Sequence, residues 1–114
     1  MAERKRRNQP KPLDAPIAFD KQYFHRAGKD AFRAAWNDVR RIVGYKVDMF
    51  SWDEIRIDFY LADNATVVVT EESPGFSEFM KEVERRFQSV VGWHAKISQP
   101  PFESNTTVLY EAAL

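Results

Sequence analysis

The chain has no cysteine. That excludes disulfide bridges, a thiolate nucleophile and every cysteine-based zinc site together, and it is consistent with a reducing cytoplasm. Glycine is scarce, four residues in 114. The four are scattered, so there is neither a Gly-x-x-x-x-Gly-Lys phosphate loop nor a Gly-x-Gly-x-x-Gly turn. His25 and His94 are the only imidazoles, and neither has a neighbour at metal-ligand spacing. No Asp-x-Asp-x-Asp-Gly calcium loop occurs. Serine appears in neither a Gly-x-Ser-x-Gly elbow nor a Ser-x-x-Lys pair. No run approaches the roughly 20 apolar residues of a membrane span, and no apolar segment follows the basic N-terminus, so no secretory signal is expected. These absences imply no cofactor and leave no convincing nucleophile.

Aromatic residues are plentiful, with nine Phe, four Tyr and three Trp. Side chains of that size let a short chain bury much area per residue, and the length suits one domain with one core. A formal net charge of zero conceals an asymmetry. Residues 1–13 carry Arg4, Lys5, Arg6, Arg7 and Lys11 against Glu3, for a net +4, and residues 14–114 carry the balancing −4. Residues 1–13 therefore read as a disordered basic tail on an acidic single domain spanning 14–114. The tail is either a solvated end or an anionic-surface contact in which Arg4, Lys5, Arg6 and Arg7 displace counterions from phosphate. The acidic body argues against a broad nucleic-acid face.

Ile17, Phe19, Tyr23 and Phe24 suggest a short strand pair. Phe32, Trp36, Val39 and Val43 then recur at helical spacing, and local periodicity slightly favours a helix there. The competing parse is a strand up to Trp36, a break at Asn37-Asp38 and a strand Val39–Val47. Glu54–Leu61 alternates cleanly, with Ile55, Ile57, Phe59 and Leu61 on one face. Ala62–Ala65 supplies turn residues, and the β-branched Thr66–Thr70 returns as the second strand of a hairpin. A helix near 74–90 follows, capped by Ser73, with Pro74 in its first turn. Phe76, Phe79, Met80, Val83 and Phe87 form its apolar stripe, and Glu82 and Arg86 face water. Trp93–Phe102 reads as a loop, stopped by two prolines. Asn105–Glu111 reads as a last strand.

Several blocks carry a resemblance. They are Trp36-x-Asp38-Val39, Tyr45-Lys46-x-Asp48, Asp53-x-Ile55, Glu71-Glu72-x-x-Gly75-Phe76 and Pro101-Phe102-x-x-Asn105-x-Thr107-Val108-Leu109-Tyr110. In this order they resemble a family of small uncharacterised bacterial proteins with a pleckstrin-homology-like (PH-like) pattern, over residues 36–110. The resemblance implies a strongly bent antiparallel sheet closed by one long helix. It also implies a strand over Val39–Asp48 in place of the local helix preference. It brings no catalytic residue, and such scaffolds serve as binding modules by analogy of fold alone.

The expected fold is thus α+β, a curved antiparallel sheet of about five or six strands on one helix. The expected function is a non-catalytic protein-interaction module, an adaptor or an immunity-type protein, acting as a monomer or weak homodimer. Its expected partner-binding surface is Glu71, Glu72, Trp93, His94 and Phe102, because aromatics concentrate at the energetic centres of interfaces. A nucleic-acid or anionic-surface contact through the tail is one alternative. A metal-dependent enzyme using Asp48 with Glu71 or Glu72, and Asp53 or Asp58 nearby, is another. The bland reading of Glu71 and Glu72 is charge stabilisation at a helix N-terminus. Lys46 and Asp48 are expected to pair, exposed, across to Asp58 and Arg56 respectively on the next strand.

Overall fold

The computed structural model describes residues 15–99 and 105–113. The expected disordered tail lies outside the described residues. The described residues form an α+β fold with two antiparallel sheets and two helices. Strands β1 (Ala18–Phe19), β2 (Tyr23–Arg26) and β3 (Phe32–Ala35) form a three-stranded sheet in the order β1-β2-β3. After a 3-10 turn at Trp36–Asp38 come β4 (Val39–Asp48), β5 (Asp53–Leu61) and β6 (Thr66–Thr70). Helix α1 (Phe76–Arg86), a 3-10 turn (Gln88–Val90), helix α2 (Trp93–Ser98) and β7 (Thr106–Glu111) complete the chain. The second sheet has the order β6-β5-β4-β7. The single sheet expected from sequence is therefore two, of three and four strands.

The β5–β6 hairpin forms where its alternation predicted. Ile55, Ile57 and Phe59 are buried on one face, and Asn64 takes the positive φ of 69° that the turn requires. The segment for which local periodicity slightly favoured a helix is instead β4, as in the competing parse with its break at Asn37-Asp38 and the strand expected over Val39–Asp48. One irregularity breaks its strand pattern, and its neighbour β7 carries a second. Val39 pairs with Leu61 but Arg41 with Tyr60, so Arg40 is an extra residue that brings Val39 onto the same face as Ile42. On the opposite edge Ile42 pairs with Tyr110 and Val43 with Val108, which leaves Leu109 as the extra residue of β7. Gly44 has a packing reason. A Cβ there would stand 2.1 Å from Ile97 Cδ1 and 3.2 Å from Leu109 Cδ1, so the bare backbone is what admits Ile97 of α2 to the core.

Helix α1 is shorter than expected, and its start is different. Gly75, not Ser73, is the N-cap, at φ 79°, and Pro74 precedes the helix. The reason is a close crossing. Ile17 N–H donates to Pro74 O at 2.9 Å, and a Cβ on Gly75 would lie 2.8 Å from Ile17 O. The helix stops after Arg86 because Phe87 adopts extended backbone. That turn lets its ring meet Tyr110 at 4.6 Å and Trp36 at 6.3 Å. Trp93–Ser98 is helix α2 and not loop. Six residues are enough to bury Ile97 completely, and the Asn105 side-chain amide donates to the Lys96 and Gln99 carbonyls at its end.

The core is aromatic. Phe24, fully buried, stands 4.6 Å from Trp36, 5.2 Å from Phe59 and 5.4 Å from Phe79 between ring centroids. It thus joins the small sheet to the large sheet and to α1. Arg86 closes the same junction from outside. Its Nε donates to Glu82 Oε2 at 2.7 Å, and its Nη2 donates to Asp20 O at 3.2 Å and Lys21 O at 3.0 Å. Its guanidinium lies 4.5 Å from the Trp36 ring centroid, where the ring face attracts a cation. The wet i, i+4 pair expected from sequence is therefore a clamp with a buried tryptophan beneath it.

Two predictions follow from this packing. Gly44→Ala should destabilise the chain by about 1–3 kcal/mol through overpacking, and Ile97→Val in the same chain should recover part of that loss. Urea denaturation of the two single variants and the double variant checks it, and strictly additive effects would count against contact at this point. The second prediction concerns acid. Backbone N–H groups of Tyr23 and Gln22 hold the Asp20 carboxyl below its ordinary 3.8. Arg85 first, and Arg86 after it, hold Glu82 below its ordinary 4.5. Both folded values are lowered, so the stabilisation is complete above the ordinary values and is lost as pH falls through the lowered ones. Tm should be level near neutrality and fall below about pH 4.5, with a shallower fall in Glu82→Gln. Parallel Tm profiles for wild type and Glu82→Gln would contradict the assignment.

Candidate functional site

Three of the residues expected at a partner surface come together. Glu71, Trp93 and His94 line one groove of ≈ 540 Å³, together with Phe76, Met80, Ser77, Lys81 and Glu84 of α1. Gly92, at φ 87°, starts α2 and so sets Trp93 beside the first turn of α1. The Trp93 ring meets Phe76 edge-on at 5.7 Å, and His94 stands edge-on to Trp93 at 5.3 Å. Trp93 is half-buried and His94 is exposed. The groove therefore has a floor of Phe76 and Met80, both buried, and a rim of charged and polar side chains.

Glu71 and Glu72 face different ways. Glu71 N–H donates to Ile55 O at 3.0 Å, and its Oε1 accepts the Ile55 N–H at 3.0 Å. The carboxylate closes the end of the β5–β6 ladder, which corrects the expectation that it serves the helix N-terminus. Glu72 is exposed and lines a second groove of ≈ 760 Å³ with Arg26 and Lys29. Ser73 lines both grooves. Phe102, and Arg4, Lys5, Arg6 and Arg7 of the tail, lie outside the described residues.

The residues of the metal reading are spread out. Asp48 Oδ1 accepts Phe50 N–H at 2.8 Å in the β4–β5 turn, and Asp48 pairs in register with Asp53. Glu71 sits on the other side of β5, at Ile55. Asp58 is held on the outer face of the sheet. Tyr45 OH donates to its Oδ1 at 3.1 Å and Tyr60 OH to its Oδ2 at 3.4 Å. Burial, and then the Asp58 charge, push the Tyr45 hydroxyl pKa up. Among the described residues no three His, Asp or Glu side chains gather as a metal-ligand set. Lys46 departs from expectation most. It is buried, its Nζ donates to Ser98 O at 3.1 Å, and it stands 3.7 Å from Asp53 Oδ2. It ties the end of α2 to the sheet, and Arg56 pairs instead with Glu54 at 3.0 Å.

Sequence reasoning missed the α1 side of the groove. Ser77, Lys81 and Glu84 recur at i, i+4 and i+7, a second stripe beside the apolar one, and that spacing was legible. Among the described residues no helix is long and apolar enough to cross a membrane. No protein-family model matches the chain, and no curated protein or solved structure matches it significantly.

The two adjacent glutamates should separate in stability. Glu71→Ala removes the acceptor of a backbone N–H at the end of β5 and should cost about 1–2 kcal/mol. Glu72→Ala, on exposed surface, should stay within about 0.5 kcal/mol of wild type. Chemical denaturation of both variants decides it, and equal losses would refute the ladder-closing role.

Proposed function

We propose that the chain is a non-catalytic protein-interaction module whose partner seats in the groove of Trp93 and His94. The observation that carries this reading is the convergence of Glu71 with the adjacent pair Trp93 and His94, distant from it in sequence, on an apolar floor with a charged rim. A desolvated aromatic centre ringed by polar groups is the usual anatomy of a protein interface. The PH-like pattern of residues 36–110 supports the same reading through its scaffold, which is a warrant of analogy. An adaptor or an immunity-type protein of the cytoplasm would use such a surface.

The clean test avoids Trp93 and Glu71, whose side chains also hold the fold. His94→Glu with Ser77→Arg alters only exposed rim positions. Wild type, this variant and the remote surface variant Val108→Lys are used to capture proteins from a lysate at moderate salt. A species held by wild type and by Val108→Lys should be depleted roughly tenfold or more by the rim variant, with Tm unchanged. Equal retention by all three would place the partner surface elsewhere.

A further inference from the structure

Strand β6 is an edge. Among the described residues it pairs with β5 alone. Soluble proteins blunt such edges with charge, proline, bulges or a covering element. The opposite edge is treated in that way, because β7 carries the Leu109 bulge and the Ser89 hydroxyl donates to Leu109 O at 2.7 Å. Strand β6 itself carries no charge, proline or bulge. It reads Thr66-Val-Val-Val-Thr70, its register with β5 is unbroken, and Val68 at its centre is 41% exposed. A groove of ≈ 760 Å³ along it is lined by Thr66, Val68 and Thr70, with Lys29 and Phe32 across from them.

The backbone groups that face outward can be assigned. Leu61 N–H donates to Ala65 O and Glu71 N–H to Ile55 O, so odd-numbered residues of this segment bond to β5. Antiparallel ladders alternate, so Thr66, Val68 and Thr70 turn their N–H and C=O groups to the open side. The Thr70 carbonyl also accepts Ser73 N–H at 3.0 Å. Among the described residues the other outward groups make no such turn bond.

The five residues form a palindrome centred on an outward-bonding residue. We propose that β6 is a self-association edge whose occupant is β6 of a second copy of this chain, antiparallel about a two-fold axis at Val68. In that register Val68 pairs with Val68 of the second copy and exchanges both main-chain hydrogen bonds with it. Thr66 faces Thr70, so the Thr70 N–H donates to the Thr66 carbonyl. Val67 faces Val69. Like-with-like β-branched and threonine pairs are favourable cross-strand neighbours, and one self-complementary patch is what a closed dimer needs. The two large sheets become one continuous sheet. The Trp93 groove plays no part in this contact, so the proposal stands apart from the partner reading.

Sedimentation of the full chain over a range of concentrations tests it. The wild type should show a reversible monomer–dimer equilibrium. Val68→Pro deletes an N–H that faces away from β5, so the internal ladder keeps its bonds. Val68→Lys places like charges opposite each other at the axis. Each should raise the dimer dissociation constant roughly tenfold or more, while Val108→Lys, an equal loss of exposed valine on the same face, should leave it unchanged. Circular dichroism confirms folding, and Val68→Lys keeps the test open should the proline variant unfold. A monomer up to about millimolar concentration would overturn the proposal and leave the edge to a foreign strand. A dimer that survives both Val68 variants would also overturn it.

Discussion

The burial of Phe24 is the contact on which the rest of the structure depends. The small sheet has strands of two to four residues, too short to stand alone without packing on something else. Its main tie to the large sheet and α1 is one ring placed among Trp36, Phe59 and Phe79. Those three come from the 3-10 turn, β5 and α1, so the same ring fixes three elements relative to one another. Removing so large a buried side chain commonly costs about 3–5 kcal/mol, a large share of the total stability of a small domain.

Arg86 shows how that core reaches the surface. Its guanidinium lies against the outer face of Trp36 and binds two carbonyls of the β1–β2 turn. The turn is itself fixed by the Asp20 carboxylate, which accepts the N–H groups of Gln22 and Tyr23, and the Trp36 indole donates to Asp20 O at 3.0 Å. Helix α1 is thereby held at its C-terminal end by the clamp and at its N-terminal end by the Ile17 crossing at Gly75. A helix pinned at both ends presents Ser77, Lys81 and Glu84 at a fixed distance from Trp93, which is what a preformed groove requires.

What was legible in the sequence follows from where each signal lives. The β5–β6 hairpin was readable because strict alternation, a turn able to adopt positive φ and β-branched residues agree with one another locally. The α1 stripe was readable for the same reason. β4 was not, because its bulge at Arg40 breaks the alternation and Gly44 weakens either assignment. The packing reason for Gly44 lies in Ile97 of α2 and Leu109 of β7, distant in sequence. α2 itself was lost because two prolines nearby suggested a loop, although they stand after its last residue. The fate of Lys46 was invisible, since its partners Ser98 and Asp53 come from different elements. For the candidate site, Trp93, His94 and Glu71 could be named individually from residue type. Their meeting could not, because it depends on the kink at Phe87 that folds α2 back beside α1.

The corner from Thr70 to Gly75 carries more than one duty, and its residues cannot be read as a single acidic patch. Glu71 turns inward to complete a ladder, Glu72 turns out toward the β6 edge, and Ser73 borders both grooves. Gly75 then takes the one conformation that lets the N-terminal segment pass over the helix start. A double replacement of Glu71 and Glu72 would therefore combine a loss of stability, a change at the Trp93 groove and a change beside the open strand. Any binding defect it produced would have three causes at once. The two grooves share a border at Ser73, with Glu71 lining one and Glu72 the other.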